Sequence, residues 1–413
     1  MGRPAQLIKH LAATALCVGV AALGAACVPT PTPVAAESVT IEGHGYGHGR
    51  GMGQWGAYGY ARQGWNVDQI LMHYYSNTSF GVYGNDALVV RMDEVQGPTV
   101  VQSDLAGGGF RVDAEGRTLV SSGLNCVQAR ATSIGTNRYR VECAPLWQPF
   151  NRVIANDVAG PVAFTANRWV DPVKDAVQLQ VPAGWRYFRG NIRAGFIDGA
   201  PRTVNVVGVE SFLRATVAAE MPYTWGLNGG QAAIEAQTVA ARTYAWAVRN
   251  WNRYRGVGWD TCTSFCQAYG GFRLNDRQLE WPNVDAAVAA TAGKIMVNGG
   301  RPILAEYSAS TGGYTAPGLS SQPWFQPVVD AGDDTPGNPS HMWRVTLTAA
   351  QIQSKWPEIG AFSSMQVTAR NGLGDWGGRV TSMVIQGTSG QVTITGNTLR
   401  NAFNLKSDWF RVV

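Results

Sequence analysis

Small apolar residues recur with helical spacing between residues 230 and 250. The positions that follow this pattern are Ala233, Ala236, Ala240, Tyr244 and Ala247. Spacings of three and four place side chains on one face of an α-helix, so this segment predicts a helix with a single packing face. Apolar segments also predict helices near 211–221 and over 284–292, and Asn66 predicts an N-cap for a short helix over 67–75.

Between residues 81 and 200 the pattern changes to short apolar runs that are broken by Gly, Pro, Asn and Asp. Runs such as 87–92, 109–112 and 177–181 are typical of antiparallel strands joined by hairpin turns. Further strands are predicted at 203–209, 303–307, 379–386 and 392–395. Together these elements predict an α+β fold, with a mixed sheet, packed helices and a small inserted antiparallel β-module.

The chain is therefore predicted to have four parts. Residues 1–36 form a signal peptide, 37–80 a Gly/His-rich segment, 81–200 the β-rich accessory module and 201–413 the main core. Nine glycines between Gly43 and Gly64 argue against a continuous helix there and favour tight backbone turns. A Pro-rich stretch at 323–339 is interpreted as a mobile loop over a groove.

Composition narrows the class of protein. The 413 residues are 45% hydrophobic and only 15% charged, which excludes wholesale disorder. The formal net charge is +5 and falls to +3 without Arg3 and Lys9, which lie in the predicted signal peptide. This charge is too weak to indicate nucleic acid as a partner.

The first residues are typical of an export signal. Arg3 and Lys9 precede an uncharged apolar run over 11–26, followed by small residues. The run is shorter than the roughly 20 residues of a membrane span, although a retained signal anchor is the alternative. A second alternative is a lipid anchor at Cys27, since 23–27 loosely resembles a lipobox. No second span follows, so we expect a secreted protein of the cell envelope with no membrane span after signal removal.

Four further cysteines are expected to form two disulfides in an exported protein. Proximity favours Cys126 with Cys143 and Cys262 with Cys266, although four cysteines allow three pairings. A zinc site at the second pair lacks a nearby histidine or further cysteine pair, so no metal is predicted.

Glu220 is the best candidate for a chemical role. It ends an apolar helix before Met221 and Pro222, and desolvation in such surroundings would raise its pKa toward that of a general acid. The alternative is a helix-end carboxylate paired with an arginine such as Arg242.

Two other segments carry polar groups. The loop over 305–315 offers Ser310, Thr311 and the pair Gly312–Gly313 for binding sugar hydroxyls, or it is an ordinary polar turn. His44 and His48 lie among glycines, so a helical metal site is disfavoured. They either face a substrate groove or bond the backbone.

Several of these segments resemble one family. The motifs are TVAAEMPYTW…AAIEAQTVAARTYAW, CQAY, SASTGGYT, GRVTSMVIQG…LRNAFNLKSDWF and GHGYGHGRGMGQWGAYGYARQGW…ILMHYYSNT. They resemble the SpoIID/LytB family of sporulation stage II protein D and amidase enhancers. The resemblance covers 43–80 and most of 201–413, and it does not cover 81–200.

The order of the motifs departs from the family pattern. There the Gly/His segment follows the SDWF-like ending, whereas here it comes first. A permuted connection needs the two ends to lie together. We therefore predict that 38–42 pairs beside 409–413 in one sheet.

The resemblance implies a peptidoglycan substrate and, for the SpoIID branch, lytic transglycosylase activity on MurNAc–GlcNAc strands stripped of stem peptides. The catalytic glutamate of the family aligns with Glu220, which would act alone as acid and then base, without a cofactor. Hydrolysis would need a second carboxylate, for which Glu306 is the candidate to test. Positions matching the family motifs, and so expected to bind glycan, are Gln237, Arg242, Ser310, Gly312 and Gly313, with His44 and His48 beside them.

The amidase-enhancer branch implies a second function of a different class. In this alternative the chain is a non-catalytic cell-wall-binding module that stimulates an N-acetylmuramoyl-L-alanine amidase, which would then be its protein partner. Glutamate at position 220 favours catalysis, yet an enhancer can keep the same residue.

Overall fold

The computed structural model describes residues 37–103, 109–123, 125–168, 176–263 and 265–413. The predicted signal peptide and Cys27 lie outside these residues. Within them, no helix has both the length and the apolar character needed to cross a membrane.

Helices form the centre of the molecule. The α-helices of the described residues are α1 (Gln54–Arg62), α2 (Val67–Tyr74), α3 (Val209–Glu220), α4 (Gln231–Tyr254), α5 (Pro282–Ala290), α6 (Ala349–Lys355) and α7 (Gly396–Phe403). The predicted N-cap of α2 is confirmed, since the Asn66 side chain accepts a hydrogen bond from the Gln69 backbone N–H at 2.9 Å. α4 packs against α1, α2, α3 and α5.

Short strands account for much of the remaining chain. In chain order they are β1 (Ser38–His44), β2 (Met52–Gly53), β3 (Ser79–Val82), β4 (Ala87–Arg91), β5 (Thr99–Gln102), β6 (Phe110–Ala114), β7 (Arg117–Ser121), β8 (Gln128–Gly135), β9 (Arg138–Ala144), β10 (Arg152–Ala159), β11 (Val162–Ala166), β12 (Val177–Val181), β13 (Gly184–Phe188), β14 (Asn191–Ile197), β15 (Ala200–Gly208), β16 (Thr261–Cys262), β17 (Arg273–Leu274), β18 (Arg277–Gln278), β19 (Lys294–Asn298), β20 (Arg301–Pro302), β21 (Tyr307–Ser308), β22 (Met342–Thr348), β23 (Phe362–Arg370), β24 (Val380–Gly387), β25 (Gln391–Ile394) and β26 (Phe410–Val412). The α+β class predicted from the sequence is confirmed.

Two large sheets contain most strands of the predicted β-module. One has the order β16-β4-β15-β14-β11-β6-β7 and the other β10-β9-β8-β5-β12-β13-β17-β18. Their buried side chains belong to the same hydrophobic cluster as those of α3 and α4. Strands from beyond residue 200 complete both sheets, because β16 pairs with β4 and β17 with β13. The domain boundary at residue 200 stays a prediction.

A second hydrophobic core lies between β1 and the C-terminal strands. β1 pairs antiparallel with β22 on one side and with β26 on the other, and β23, β24 and β25 form a neighbouring sheet. Residues Ile41, Glu42 and Gly43 lie opposite Val412, Arg411 and Phe410. The predicted pairing of the two chain ends in one sheet is therefore confirmed.

The cysteines follow the sequence prediction only in part. Cys262 and Cys266 form a disulfide, whereas Cys126 and Cys143 are buried free thiols, which corrects the prediction of a second bridge. The two thiols are neighbours joined by a side-chain hydrogen bond, and burial raises the pKa of Cys126. A raised thiol pKa disfavours the thiolate that disulfide chemistry requires.

Candidate active site

Glu220 is the last residue of α3, and the sequence explains why the helix ends there. Met221 is already extended, with φ −134° and ψ 136°, because Pro222 restricts the residue before it. The end of α3, which packs on α4, therefore carries the Glu220 carboxylate.

Two groups bond the Glu220 carboxylate. The backbone N–H of Ala268 donates to Oε1 at 2.7 Å, and the hydroxyl of Tyr307 donates a second hydrogen bond. The Tyr307 oxygen accepts in turn from Nε2 of Gln267 at 3.2 Å. Burial raises the pKa of Glu220, and the two hydrogen bonds offset this only in part. The carboxyl is thus poised to hold a proton at higher pH than an ordinary glutamate.

Gln54 joins a further segment to the same place. Its Nε2 donates to the backbone carbonyl of Glu220 at 3.1 Å and to Oε1 of Gln237 at 3.2 Å. Four segments far apart in the chain therefore converge on Glu220. They are the Gly/His-rich segment, the end of α3, the residues after the Cys262–Cys266 disulfide, and β21.

A cavity of about 400 Å³ is lined by two neighbours of Glu220, although Glu220 itself is not in its wall. Ala219 and Ala268, which flank Glu220 in sequence and in space, lie in its wall. The full lining consists of Glu94, Val181, Pro182, Ala183, Arg186, Ala219, Thr263, Ala268, Tyr269 and Gly270. Its volume falls in the range of small-molecule sites.

The structure corrects the roles predicted for Gln237 and Arg242. Both side chains are fully buried, which leaves no surface for direct contact with a glycan. Arg242 binds Glu210 through two hydrogen bonds, Nε to Oε1 at 2.9 Å and Nη2 to Oε2 at 2.7 Å. The alternative pairing of Glu220 with Arg242 is therefore wrong, and both residues support the helices from inside.

The 305–315 loop is likewise held from within. Asp333 accepts hydrogen bonds from Ser310 Oγ at 2.9 Å and from the Gly312 backbone N–H at 3.1 Å. Ser310 and Gly312 are buried, so the structure does not place them on a surface that a glycan contacts directly. Gly313 is more open, and its N–H donates to Thr311 Oγ1 at 3.2 Å.

The two histidines of the Gly/His-rich segment bond the protein itself. Nδ1 of His44 lies 3.0 Å from the carbonyl of His341, and its ring contacts Trp376 and Trp409. His48 accepts from the Arg50 backbone N–H at 3.0 Å, and burial lowers its pKa to about 4. The geometry thus matches the backbone-bonding alternative for both. In the described residues no cluster of three or more His, Cys, Asp or Glu side chains could hold a metal ion.

Sequence reasoning missed Asp330 and Asp333. Both are fully buried, Asp330 accepts from Tyr74 and Thr311 hydroxyls, and Asp333 lies 2.9 Å from Nδ1 of His341. Their stretch, 323–339, was expected to be a mobile loop, yet these two carboxylates anchor it in the core. A polar loop sequence gave no signal of the burial.

Glu306 directly precedes Tyr307 in the sequence. Arg50 binds both of its oxygens, Nε to Oε2 at 2.8 Å and Nη2 to Oε1 at 2.7 Å. This pairing outweighs burial and holds the pKa of Glu306 below its usual range. Glu306 is therefore a paired anion, in contrast to Glu220.

The aromatic residues downstream of Glu220 divide into two groups. Trp225 is buried and packs on Trp55 and Tyr58, with ring centroids 4.5 and 4.6 Å away. Tyr223 stacks on Trp281 at 3.8 Å and remains half-buried. Trp55 and Tyr223 thus keep part of their surface exposed, whereas Trp225 does not.

Comparison with known proteins gives matches over part of the chain. The amidase enhancer of Bacillus subtilis (strain 168) is 36% identical over 145 residues, which is 35% of this chain and 18% of that protein. The chain thus spans about a fifth of the length of this curated relative. No solved structure matches the chain significantly. Residues 198–298, which carry Glu220 and Ala268, match the family model of SpoIID, stage II sporulation protein, and so confirm the SpoIID/LytB resemblance for the segment that holds the candidate acid.

Proposed function

We propose that the protein is an exported lytic transglycosylase of peptidoglycan, with Glu220 as its one acid and base. The observation that carries the proposal is the half-buried Glu220 carboxyl, whose pKa is raised by burial. Its neighbours Ala219 and Ala268 line a cavity. A protonated carboxyl in such a place is suited to donate a proton to a glycosidic oxygen.

The proposed reaction uses Glu220 twice. In the first step its proton passes to the glycosidic oxygen between MurNAc and GlcNAc, and the bond to the anomeric carbon breaks. In the second step the resulting carboxylate takes the proton of the muramyl 6-hydroxyl, whose oxygen bonds to the anomeric carbon and closes the anhydro ring. The Ala268 N–H and the Tyr307 hydroxyl stabilise the carboxylate between the two steps.

The state of Glu306 supports a mechanism with one carboxylate. A hydrolase needs a second carboxyl group to activate water or to form a covalent intermediate. Arg50 occupies both oxygens of Glu306, which disfavours either role. Cleavage without water is therefore the reaction that these side chains favour.

The test is incubation of purified protein with peptide-stripped and intact glycan strands, followed by mass spectrometry of the products. Anhydro-ended fragments are expected from the wild type, with a loss of at least 100-fold in Glu220→Gln. Glu235→Gln is the matched control, since burial also raises the pKa of Glu235, which lies on α4 away from the Ala268 and Tyr307 contacts. Reducing ends would instead indicate hydrolysis, and Glu306→Gln would then test the second carboxylate.

A second candidate function rests on the relative named amidase enhancer. In this alternative the chain binds cell-wall glycan without cutting it and stimulates a cell-wall amidase. Retained glycan binding with no cleavage, together with faster peptide release by an added N-acetylmuramoyl-L-alanine amidase, would favour this function over the first.

A further inference from the structure

The cavity beside Glu220 has one wall that comes from the inserted β-module. Pro182 and Ala183 form the two-residue turn between β12 and β13, because Val181 pairs with Gly184. This turn, which lies in the part of the chain without family resemblance, faces Ala268 and Gly270 across the cavity. The module is thus part of the candidate site, in contrast to its interpretation as an accessory unit.

A polar cluster lies in the same wall. Arg186 of β13 donates from Nη1 to Oε1 of Glu94 at 2.8 Å, and Thr263 Oγ1 donates to the other oxygen of Glu94 at 2.5 Å. The Nε of Arg186 is buried and has no hydrogen-bond partner among the described residues. Arg186 lines the cavity, and a guanidinium has five N–H donors, so the bond from Nη1 to Glu94 leaves terminal donors for a ligand.

The charged and apolar side chains that line the cavity indicate which class of ligand would bind there. Glu94 and Arg186 neutralise each other, so an anion or a cation bound between them would leave one charge unpaired. Pro182, Ala183 and Tyr269 add apolar surface to the same cavity. A neutral ring with hydroxyl and amide groups on its edge and C–H groups on its face satisfies both kinds of surface, and an N-acetylated pyranose is such a ring.

We propose that this cavity is a saccharide subsite of the glycan strand, next to the bond presented to Glu220, and that Arg186 and Glu94 are its recognition pair. The inference rests on the proposed glycan substrate and adds the subsite and its residues. Continuity supports it, since Ala268 lines the cavity while its N–H bonds the Glu220 carboxylate. A ring seated here would place its neighbour at Glu220.

The test measures binding of peptide-stripped glycan strands to the Glu220→Gln protein, which cannot consume them. Ala183→Trp adds a large side chain at the exposed turn and fills the cavity, so we expect the Kd to rise at least tenfold. Thr136→Trp is the control, because Thr136 is an exposed residue in the β8–β9 turn of the same module and does not line the cavity. Thermal unfolding checks that each variant folds.

A second variant keeps the test decisive if Ala183→Trp is unstable. Glu94→Gln with Arg186→Gln removes both charges together and keeps a polar side chain at each position, and a similar loss of affinity is expected. With Glu220 intact, both variants should raise KM for long strands by a larger factor than they lower kcat, as expected when substrate binding is lost. Unchanged Kd in both variants would overturn the subsite. No glycan binding by the parent Glu220→Gln protein would instead overturn the proposed function.

Discussion

At the scale of single residues, Glu220 and Glu306 illustrate how the surroundings of a carboxyl group set its pKa. Glu220 has lost solvent and gained no cationic partner, so its pKa rises. Glu306 is bound by the Arg50 guanidinium, which lowers its pKa although it is buried too. The opposite pKa shifts of these two carboxyl groups distinguish a group suited to donate a proton from a structural anion. This difference depends on residues far away in sequence and could not be predicted from either motif.

Tyr307→Phe tests the hydrogen bond that the Tyr307 hydroxyl gives to the Glu220 carboxylate. Loss of this bond should raise the pKa of Glu220 further, because only the charged form benefits from it. We expect kcat to fall about tenfold and its decline at high pH to shift to higher pH, as measured by pH–rate profiles. Tyr75→Phe is the control, since the Tyr75 hydroxyl donates to the Glu306 backbone carbonyl. An unshifted profile in Tyr307→Phe would contradict the positioning role.

His48 should make folding stability depend on acid pH. Burial and the Arg50 charge lower its pKa to about 4 in the folded chain, against about 6.5 when unfolded. Between these values the unfolded chain binds more protons, so the free energy of unfolding should fall as pH drops from about 6.5 toward 4. In His48→Gln this part of the decline should disappear in urea titrations at several pH values. Equal slopes in both proteins would refute the assignment.

At the scale of elements, local patterns in the sequence predict most helices and strands. The predicted helix at 230–250 corresponds to α4 and the run at 177–181 coincides with β12, because their apolar residues recur with the period of each element. The predicted strand at 303–307 is wrong, since only β20 and β21 flank an irregular stretch there. Its backbone is fixed by partners distant in sequence, such as the pairing of Tyr307 with Met52.

The candidate site was predictable only where one residue carries a strong local signal. An acid at the end of an apolar helix identified Glu220, and the structure gives it the desolvated setting expected. The burial of Gln237 and Arg242 was not predictable from the sequence. The spacing of apolar residues in a helix does not show which polar side chain will find a buried partner, as Arg242 does in Glu210. Likewise, nothing local indicated that Asp333 would bind the 305–315 loop.

Replacing a glycine of α1 by alanine should lower the stability of the protein, although alanine has the higher helix propensity. Alanine in a helix interior is normally about 1 kcal/mol better than glycine. A Cβ at Gly59, however, would lie 2.0 Å from the backbone oxygen of Gly332. We therefore expect Gly59→Ala to destabilise the protein by about 1–3 kcal/mol in denaturant titrations.

The control for this variant is Gly135→Ala. There the nearest atom to the added Cβ is the Arg138 Cβ at 3.9 Å, which is ordinary contact. A Gly59→Ala protein as stable as the wild type would mean that α1 does not pack closely on the Ala331–Asp333 turn.

At the scale of the whole molecule, the Gly/His-rich segment connects two hydrophobic cores. β1 belongs to the second core, while α1 belongs to the first. The residues between β1 and α1 form hydrogen bonds with two distant segments. The Gly47 N–H donates to the Lys406 carbonyl at 2.9 Å, and the Tyr46 N–H donates to the Ser310 carbonyl at 2.8 Å. β2 then pairs with β21, which carries Tyr307. The displaced position of this segment in the chain is thus compatible with a site assembled from both ends.

Ile41→Ala tests how strongly β1 holds the second core. Ile41 is fully buried at the centre of the β22-β1-β26 sheet, so its truncation should cost about 2–5 kcal/mol. Because the two cores are separate clusters, hydrogen exchange should accelerate in β22 and β26 while the amides of α4 remain protected. Ile134→Ala is the control, since Ile134 is half exposed in the β-module. Equal acceleration in α4 would instead mean that both cores unfold as one cooperative unit, with β1 supporting Glu220 as well as the C-terminal strands.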